Sequence, residues 1–283
     1  MADAGVAGAG EHYVLATGEA GERRLHLLDE VYGPSTDRLL AALDVRPGMA
    51  VADIGCGVGV VANWLGHRVG PGGSVTGVDL SEEQIALARR DAFAQGLHHV
   101  AFIVADAYDT GLPRAAFDLV CCRSLLSHLR QPAAALREMS ALLKDGGALV
   151  AEDLDMTVVA SDPPTAAYTR VAELLVVICH HIGSDPAMGA HLQALFRTVG
   201  FADSHADAVR LVDRSGERKR LWEYTFLELV PAYLEAELMT AAEAADLAQV
   251  LARLSADDSV GVVHAPKHQV WARKGDANGS ADA

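Results

Sequence analysis

The nine residues VADIGCGVG, at positions 51–59, decide the fold of this chain. A short apolar run carries Asp53 near its end and passes into three glycines at alternate positions, Gly55, Gly57 and Gly59. Apolar runs of this length that stop at a glycine cluster are typical of buried strands. Glycines let the backbone approach a ligand closely. The motif therefore predicts a strand that ends in a ligand-binding turn.

The spacing of these glycines separates two kinds of ligand. Dinucleotide-binding turns follow the pattern G-x-G-x-x-G, which would require a third glycine at position 60, where this chain has Val60. An acid such as Asp53, immediately before the glycines, suits a ligand that carries an amino group. The motif therefore disfavours an NAD-dependent oxidoreductase, which stays as a third alternative.

Outward from the motif, apolar runs and helical patterns alternate. Further strands are predicted at 74–78, 100–104, 117–122 and 148–152, after a first strand at 49–54. Helices are predicted at 60–69, after Ser81, and from Pro132. Such alternation predicts an α/β fold with right-handed crossovers, whose ligands lie beyond the carboxyl ends of the strands.

Helical segments flank this predicted core. Residues 22–43 predict two lid helices that break near Gly33-Pro34. Beyond the fifth strand, helices are predicted at 166–182 and 191–199. Two last strands, at 204–212 and 262–272, bring the sheet to seven strands and bracket a helical cap. The predicted fold is thus Rossmann-like, doubly wound and mostly parallel.

We divide the chain accordingly into a core with added segments. The expected divisions are a disordered tail at 1–12, an N-terminal helical lid at 13–45, a ligand-binding core at 46–154, a C-terminal part at 155–274 with cap segments at about 155–183 and 218–256, and a disordered tail at 275–283.

The amino-acid composition disfavours several kinds of partner and ligand. The 38 acidic and 23 basic residues give a formal charge of −15, which disfavours a nucleic-acid partner. Neither a membrane-spanning run nor a secretory signal is recognisable, so we expect a cytoplasmic protein without a membrane partner. The four cysteines lack CxxC spacing, so we expect reduced thiols and no metal. A homodimer is left open.

With these residues in view, the chain resembles class I S-adenosylmethionine (SAM) dependent methyltransferases, in particular the ubiquinone/menaquinone-biosynthesis type that acts on small molecules. The resemblance covers about residues 13–153 and continues more weakly to 274. It implies that the glycine loop, with Asp53, Gly55, Gly57 and Gly59, holds the methionine and ribose parts of SAM. The expected product is S-adenosylhomocysteine (SAH).

The resemblance assigns further residues to the cofactor. Acids that end the second strand accept ribose hydroxyls in nucleotide-binding folds, and the resemblance implies the same role for Asp79, with Leu80 beside it. It also implies that Asp106 binds the adenine amino group and that the backbone of Ala107 meets the ring edge. A helix start and a surface turn are the respective alternatives. The remaining implied contacts are the backbone of Arg123 and the lid residues Tyr13 and Arg24, for which helix-surface packing is the alternative.

His128 is the candidate general base, because its near-neutral pKa suits proton transfer. Packing beside the cofactor is an equal alternative, and transfer by positioning alone would need no base. His180 and His181 are reserve candidates, although a helix C-terminus also favours histidines. Lys267 and His268 are interpreted as structural. Glu152, Asp153 and Asp155 are interpreted as solvated loop acids rather than metal ligands.

The expected function is methyl transfer from SAM to a small acceptor, apolar or aromatic and natural-product-like, as in secondary metabolism. Aromatic residues of the cap are expected to shape the acceptor site, with core packing as the alternative: Tyr168, Trp222, Tyr224 and Phe226. The second hypothesis is a SAM-binding protein of the same fold without methyl transfer, either cyclase-like or regulatory.

Overall fold

Seven strands form the central sheet of the computed structural model, which describes residues 18–275. Tyr13, the tail at 1–12 and residues 276–283 of the second tail lie outside the described residues. The strands of this sheet are β1 (Ala50–Ile54), β2 (Ser74–Asp79), β3 (Val100–Val104), β4 (Phe117–Arg123), β5 (Leu143–Leu154), β7 (His205–Val209) and β10 (Lys267–Arg273). Their order across the sheet is β3-β2-β1-β4-β5-β10-β7.

Neighbouring strands from β1 to β5 pair in parallel, and β10 runs antiparallel to both β5 and β7. The doubly wound, mostly parallel sheet of seven strands is thereby confirmed. Helices pack on the sheet and form the additional segments. They are α1 (Gly18–Ala42), α2 (Val60–Val69), α3 (Glu82–Ala94), α4 (Pro132–Leu142), α5 (Ala166–Ile182), α6 (Met188–Thr198), α7 (Leu221–Glu235) and α8 (Ala241–Ala256).

The prediction of two helices at 22–43 is wrong, because α1 continues through Pro34. A proline inside a helix removes one hydrogen bond to the carbonyl four residues earlier. Here that carbonyl belongs to Glu30, and it accepts a hydrogen bond of 3.4 Å from Nη1 of Arg218. A distant side chain thus replaces the backbone donor that Pro34 lacks.

Each of the last two predicted strands consists of two shorter strands in the structure. Residues 204–212 form β7 and the start of β8 (Val212–Asp213), while 262–272 form β9 (Gly261–Val263) and β10. Pro266 lies between β9 and β10, where a residue without an N–H cannot continue a ladder. β8 and β9 leave the main sheet and join β6 (Ala160–Asp162) in a second sheet of order β6-β9-β8.

Helix α5 lies in the first predicted cap segment, at about 155–183, and α7 and α8 lie in the second, at about 218–256. A capping box at Thr240 and Glu243 begins α8, as predicted. The box predicted at Ser81 is only half formed, because Ser81 accepts from the backbone N–H of Gln84 while the Gln84 side-chain oxygen has no partner among the described residues. A core cluster joins α1, α5, α7 and α8 and is separate from the two clusters on the main sheet.

Candidate active site

A cavity of about 430 Å³ lies at the carboxyl ends of β1, β2, β3 and β4. This is the sheet edge at which the sequence places a ligand. Its wall consists of the segments that follow these strands together with one side of α1. The predicted cofactor residues on it are Arg24, Asp53, Gly55, Gly57, Asp79, Leu80, Asp106, Ala107 and Arg123.

The glycine loop after β1 is held by backbone contacts. The N–H groups of Gly55 and Cys56 both donate to the carbonyl of Val78, at 2.7 and 2.9 Å. Gly55, Gly57 and Gly59 have φ values of 73°, 53° and 82°, in the left-handed region that favours glycine. The loop therefore depends on glycine at each of these positions.

The three glycines nevertheless face different surroundings. A Cβ at Gly55 would lie 2.8 Å from a Leu125 side-chain carbon, and one at Gly59 would lie 2.9 Å from Ala88. At Gly57 the nearest atom would be Leu25 Cδ1 at 4.0 Å. Gly57 therefore borders open space in the cavity, whereas Gly55 and Gly59 pack against protein.

Asp79 connects the end of β2 to the glycine loop. Its Oδ2 accepts the N–H of Gly57 at 2.9 Å, and its Oδ1 accepts the N–H of Ser81 at 2.9 Å. A carboxylate oxygen can accept more than one hydrogen bond, so both oxygens keep capacity for hydroxyl donors of a ligand. Asp79 thus both shapes the loop and borders the cavity.

Asp53 is a buried carboxylate that lacks a full set of partners. It is 1% exposed, and its Oδ2 has no hydrogen-bond partner among the described residues. Burial raises its pKa to about 7; the charge of Arg123 opposes this rise and that of Asp79 adds to it. A cationic donor in the cavity would stabilise the ionised form.

In the loop after β3, Asp106 both forms a surface turn and borders the cavity. Its Oδ1 accepts the N–H of Tyr108 at 2.9 Å, as expected of a surface turn. Asp106 and Ala107 also line the cavity. Leu80 lies on the same wall with 61% of its surface exposed, and an apolar side chain so placed can pack against a flat ring.

Two arginines occupy the wall nearest α1. Arg123, at the end of β4, pairs with Asp29 of α1 at 2.7 Å. Arg24 of α1 is buried and pairs with Glu228 of α7 at 2.8 Å. Glu228 of the cap thus contacts Arg24, which lines the cavity, and neutralises its charge.

His128 lines the cavity in a short 3₁₀ helix, Leu126–His128, after β4. Desolvation lowers its pKa to about 4, and the charge of Arg24 acts in the same direction. The imidazole is thus neutral at pH 7. The near-neutral pKa expected from the sequence is wrong, because burial disfavours the protonated form. His180 and His181 are exposed at the end of α5 and do not line the cavity.

Several cavity residues were missed by the sequence analysis. Leu25 and Leu28 of α1, with Leu125 and Leu129 after β4, make part of the wall apolar. Gln84 is buried on the same wall, and its Oε1 has no hydrogen-bond partner among the described residues. The Gln84 side chain does not complete the capping box at Ser81 and lines the cavity instead. The sequence could not show this, because its pattern there is that of an ordinary helix start.

The expected role of the cap aromatics is wrong for this cavity. Tyr168, Trp222 and Phe226 are buried in the cluster between α1, α5, α7 and α8, and Tyr224 lies between the guanidinium groups of Arg23 and Arg220. None of the four lines the cavity of the described chain. Their helical spacing reflects packing within the cap.

The interpretation of the acids after residue 151 as solvated is wrong for two of the three. Glu152 and Asp153 belong to β5 and are 2% and 1% exposed. Asp153 accepts the N–H groups of Ser127 and Leu154, and Glu152 pairs with Lys267. Asp155 caps the short helix at Met156–Val158. Among residues 18–275, no group of three or more potential metal ligands is found.

Comparison with known proteins finds a family that matches the segment around the cavity. The family described as a methyltransferase domain matches residues 52–151, the segment that supplies the glycine loop, Asp79, Asp106, Arg123 and His128. The matched segment and α1 together supply the predicted cofactor residues on the cavity wall. The roles of these residues toward a cofactor stay proposals.

Relatives of the methyltransferase domain agree with the predicted family. The chain is 37% identical over 120 residues to the nocamycin O-methyltransferase of Saccharothrix syringae, covering 41% of this chain and 42% of that one. It is 32% identical to the ubiquinone biosynthesis O-methyltransferase of Xanthomonas axonopodis pv. citri, covering 54% and 62%. The chain thus spans about half the length of the curated relatives it matches.

A solved structure shares the fold. A candidate methyltransferase from Bacillus halodurans C-125 superposes with a TM-score of 0.54 and 19% identity, over 85% of this chain and 98% of that one. At this identity the likeness shows the fold alone.

Within residues 18–275, every helix is too short or too polar to span a membrane.

Proposed function

We propose that this chain binds SAM in the cavity and transfers its methyl group to a small, apolar acceptor. The observation that carries the proposal is that the segment matched as a methyltransferase domain supplies most of the cavity wall. The open space at Gly57 and the unpartnered oxygens of Asp53 and Gln84 fit a ligand rich in hydrogen-bond donors.

Each part of the cavity has a proposed task. Asp53 and the glycine loop would hold the methionine and ribose parts, Asp79 the ribose hydroxyls, and Asp106, Ala107 and Leu80 the adenine. Backbone of Arg123 and the side chain of Arg24 would meet the methionine end. When bound, SAM supplies a methyl cation equivalent, and its sulfur keeps the electron pair of the broken C–S bond to give SAH.

The apolar wall supports the choice of acceptor. Leu25, Leu28, Leu125 and Leu129 contribute apolar side chains to the cavity wall, and apolar surface of this kind binds apolar ligands with few polar contacts. The likeness to a nocamycin O-methyltransferase supports a natural-product-like acceptor. A cytoplasmic location belongs to the same proposal, and the homodimer stays a prediction.

Methyl transfer can be tested with methyl-deuterated SAM and a panel of apolar phenols, alcohols and amines. We expect one acceptor class to gain a CD₃ group while an equal amount of SAH forms. Product that forms without SAH and without the label would instead favour a cyclase-like role for the bound cofactor. Hydroxyl acceptors come first, because both relatives above are named O-methyltransferases.

Asp53 gives the cofactor affinity a pH dependence. Its pKa near 7 means that the carboxyl is largely protonated at pH 6, and an ammonium group of the ligand favours the ionised form. SAH should therefore bind more weakly as the pH falls below 7, by up to about tenfold per pH unit, with proton release on binding. Calorimetry between pH 5.5 and 8 measures this. In Asp53→Asn the slope should disappear; an equal slope in both proteins would exclude Asp53 as its source.

His128 is proposed as the base for an acceptor that must lose a proton. General-base catalysis contributes roughly 10²–10⁴-fold, so His128→Ala should lower turnover by at least about 10²-fold while the SAH affinity changes less than about threefold. Because the pKa is lowered to about 4, the basic form persists as the pH falls from 8 to 5. His180→Ala, at an exposed site on α5, is the matched control. Unchanged turnover in His128→Ala would leave catalysis to positioning alone.

A further inference from the structure

A buried polar network connects α1 to the sheet beside the cavity. Lys267 of β10 and Glu152 of β5 are 1% and 2% exposed, with Nζ 2.9 Å from Oε1. Lys267 also donates to the carbonyl of Tyr32 at 3.0 Å and to Oγ1 of Thr36 at 2.7 Å. Thr36 in turn donates to Oε2 of Glu152 at 2.7 Å. The charges come from the sheet, and the neutral partners come from α1.

Gln269 extends this network along β10. Its amide Nε2 donates to the carbonyl of Ser35 at 3.2 Å and also to Oε1 of Glu152. A buried ion pair does little for stability that apolar residues could not do, and loss of one partner leaves an uncompensated charge. The network is therefore better explained by what it orients than by stability.

Glu152 lies directly beside the cavity wall. It is the register partner of Arg123 in the parallel pairing of β4 and β5. Arg123 lines the cavity and pairs with Asp29 of α1. The electrostatic influence of Arg123 and Asp29 extends to Lys267. Charges thus alternate from the sheet interior to α1, in the order Lys267, Glu152, Arg123 and Asp29.

We propose that Lys267 is a positioning residue for the cavity, because it neutralises Glu152 and so leaves Arg123 paired with Asp29. This pairing holds α1 in the place from which Arg24, Leu25 and Leu28 line the cavity. The inference rests on the proposed function only where it concerns cofactor affinity. The placement of α1 is a separate consequence.

Loss of the Lys267 charge has a specific expected effect. Glu152 becomes a buried anion beside Arg123, its register partner on β4. Attraction to Glu152 draws Arg123 away from Asp29, while Tyr32 and Thr36 lose their donor from Lys267. Both attachments of α1 to the sheet edge are weakened together, and the cavity loses one wall.

The test compares Lys267→Met with the double variant Lys267→Met/Glu152→Gln. In Lys267→Met we expect SAH to bind at least tenfold more weakly and the amides of residues 24–36 to exchange with solvent at least tenfold faster. Glu152→Gln removes the uncompensated charge and so keeps Arg123 paired with Asp29, whereas the bonds from Lys267 to Tyr32 and Thr36 stay lost. The double variant should therefore come within tenfold of the wild type in both quantities and be closer to it than Lys267→Met. If Lys267→Met does not fold, the double variant alone carries the test.

Lys219→Met is the matched control, since Lys219 is a fully buried lysine whose Nζ donates to the carbonyl of Asp257, away from the cavity wall. It should lower thermal stability without changing the SAH affinity of the folded protein. Wild-type affinity and exchange in Lys267→Met, or a double variant that stays tenfold weaker, would overturn the proposal. If the wild type itself does not bind SAH, the proposed function fails, and hydrogen exchange of α1 still decides the role of Lys267.

Discussion

Asp79→Ala should weaken SAH binding by roughly 10²-fold or more. The carboxylate accepts the N–H groups of Gly57 and Ser81, and we propose that it also accepts the ribose hydroxyls. Hydrogen bonds to charged groups contribute about 1.5–3 kcal/mol each, so loss of two ligand bonds alone predicts this effect. Calorimetric titration of the variant with SAH measures it.

Two variants calibrate the result for Asp79. Asp79→Asn keeps the shape and one acceptor oxygen, so we expect an intermediate affinity. Glu82→Ala removes an exposed carboxylate from the first turn of α3, three residues away, and should bind SAH as the wild type does. A folded Asp79→Ala protein with unchanged affinity would remove Asp79 from the cofactor site.

Gly57→Ala should weaken cofactor binding strongly at a modest cost in stability. A non-glycine residue at a φ of 53° costs about 1–2 kcal/mol, and the new methyl group has room because its nearest neighbour would be 4.0 Å away. That room is the space in which we propose the cofactor lies, so the SAH affinity should fall by roughly 10²-fold. Thermal unfolding and SAH titration separate the two effects.

Gly70 offers a matched control for Gly57. It follows the end of α2, outside the cavity wall, and has a φ of 61°. A methyl group added at Gly70 would have no described atom within 4 Å beyond its chain neighbours. The ψ of −179° at Gly70 lies in a region that essentially only glycine adopts, so Gly70→Ala should lose at least as much stability as Gly57→Ala, with unchanged SAH affinity. Equal affinities in the two variants would mean that Gly57 does not face the ligand.

The sequence predicted the sheet edge and part of its cavity wall, because strand ends and glycine turns are local signals. The motif at 51–59 and the acid at Asp79 depend on residues within a few positions of each other. Parallel strands then bring their carboxyl ends together, so Asp106 and Arg123 follow without knowledge of distant contacts. The roles of these residues toward a cofactor stay predictions.

What the sequence could not predict depends on distant partners. Glu152 resembled a solvated acid because Thr36 and Lys267, which bury and pair it, are 116 and 115 positions away. α1 continues through Pro34 because Arg218, 188 residues from Glu30, supplies the missing donor. No local sequence pattern predicts either contact.

The packing of the cap aromatics could not be predicted for a related reason. Helical periodicity shows that Trp222 and Phe226 share one face of a helix, but it does not show which surface that face meets. In the fold that face packs within the cap. The apolar cavity wall comes instead from Leu25, Leu28 and the segment after β4.

The central claim is that this cavity holds SAM, and titration of the purified chain with SAH tests it most directly. We predict one binding site with a micromolar or lower dissociation constant, and retained SAM or SAH in mass spectra of the protein as purified. A folded protein that neither retains nor binds either compound would contradict the account and assign the cavity to another ligand.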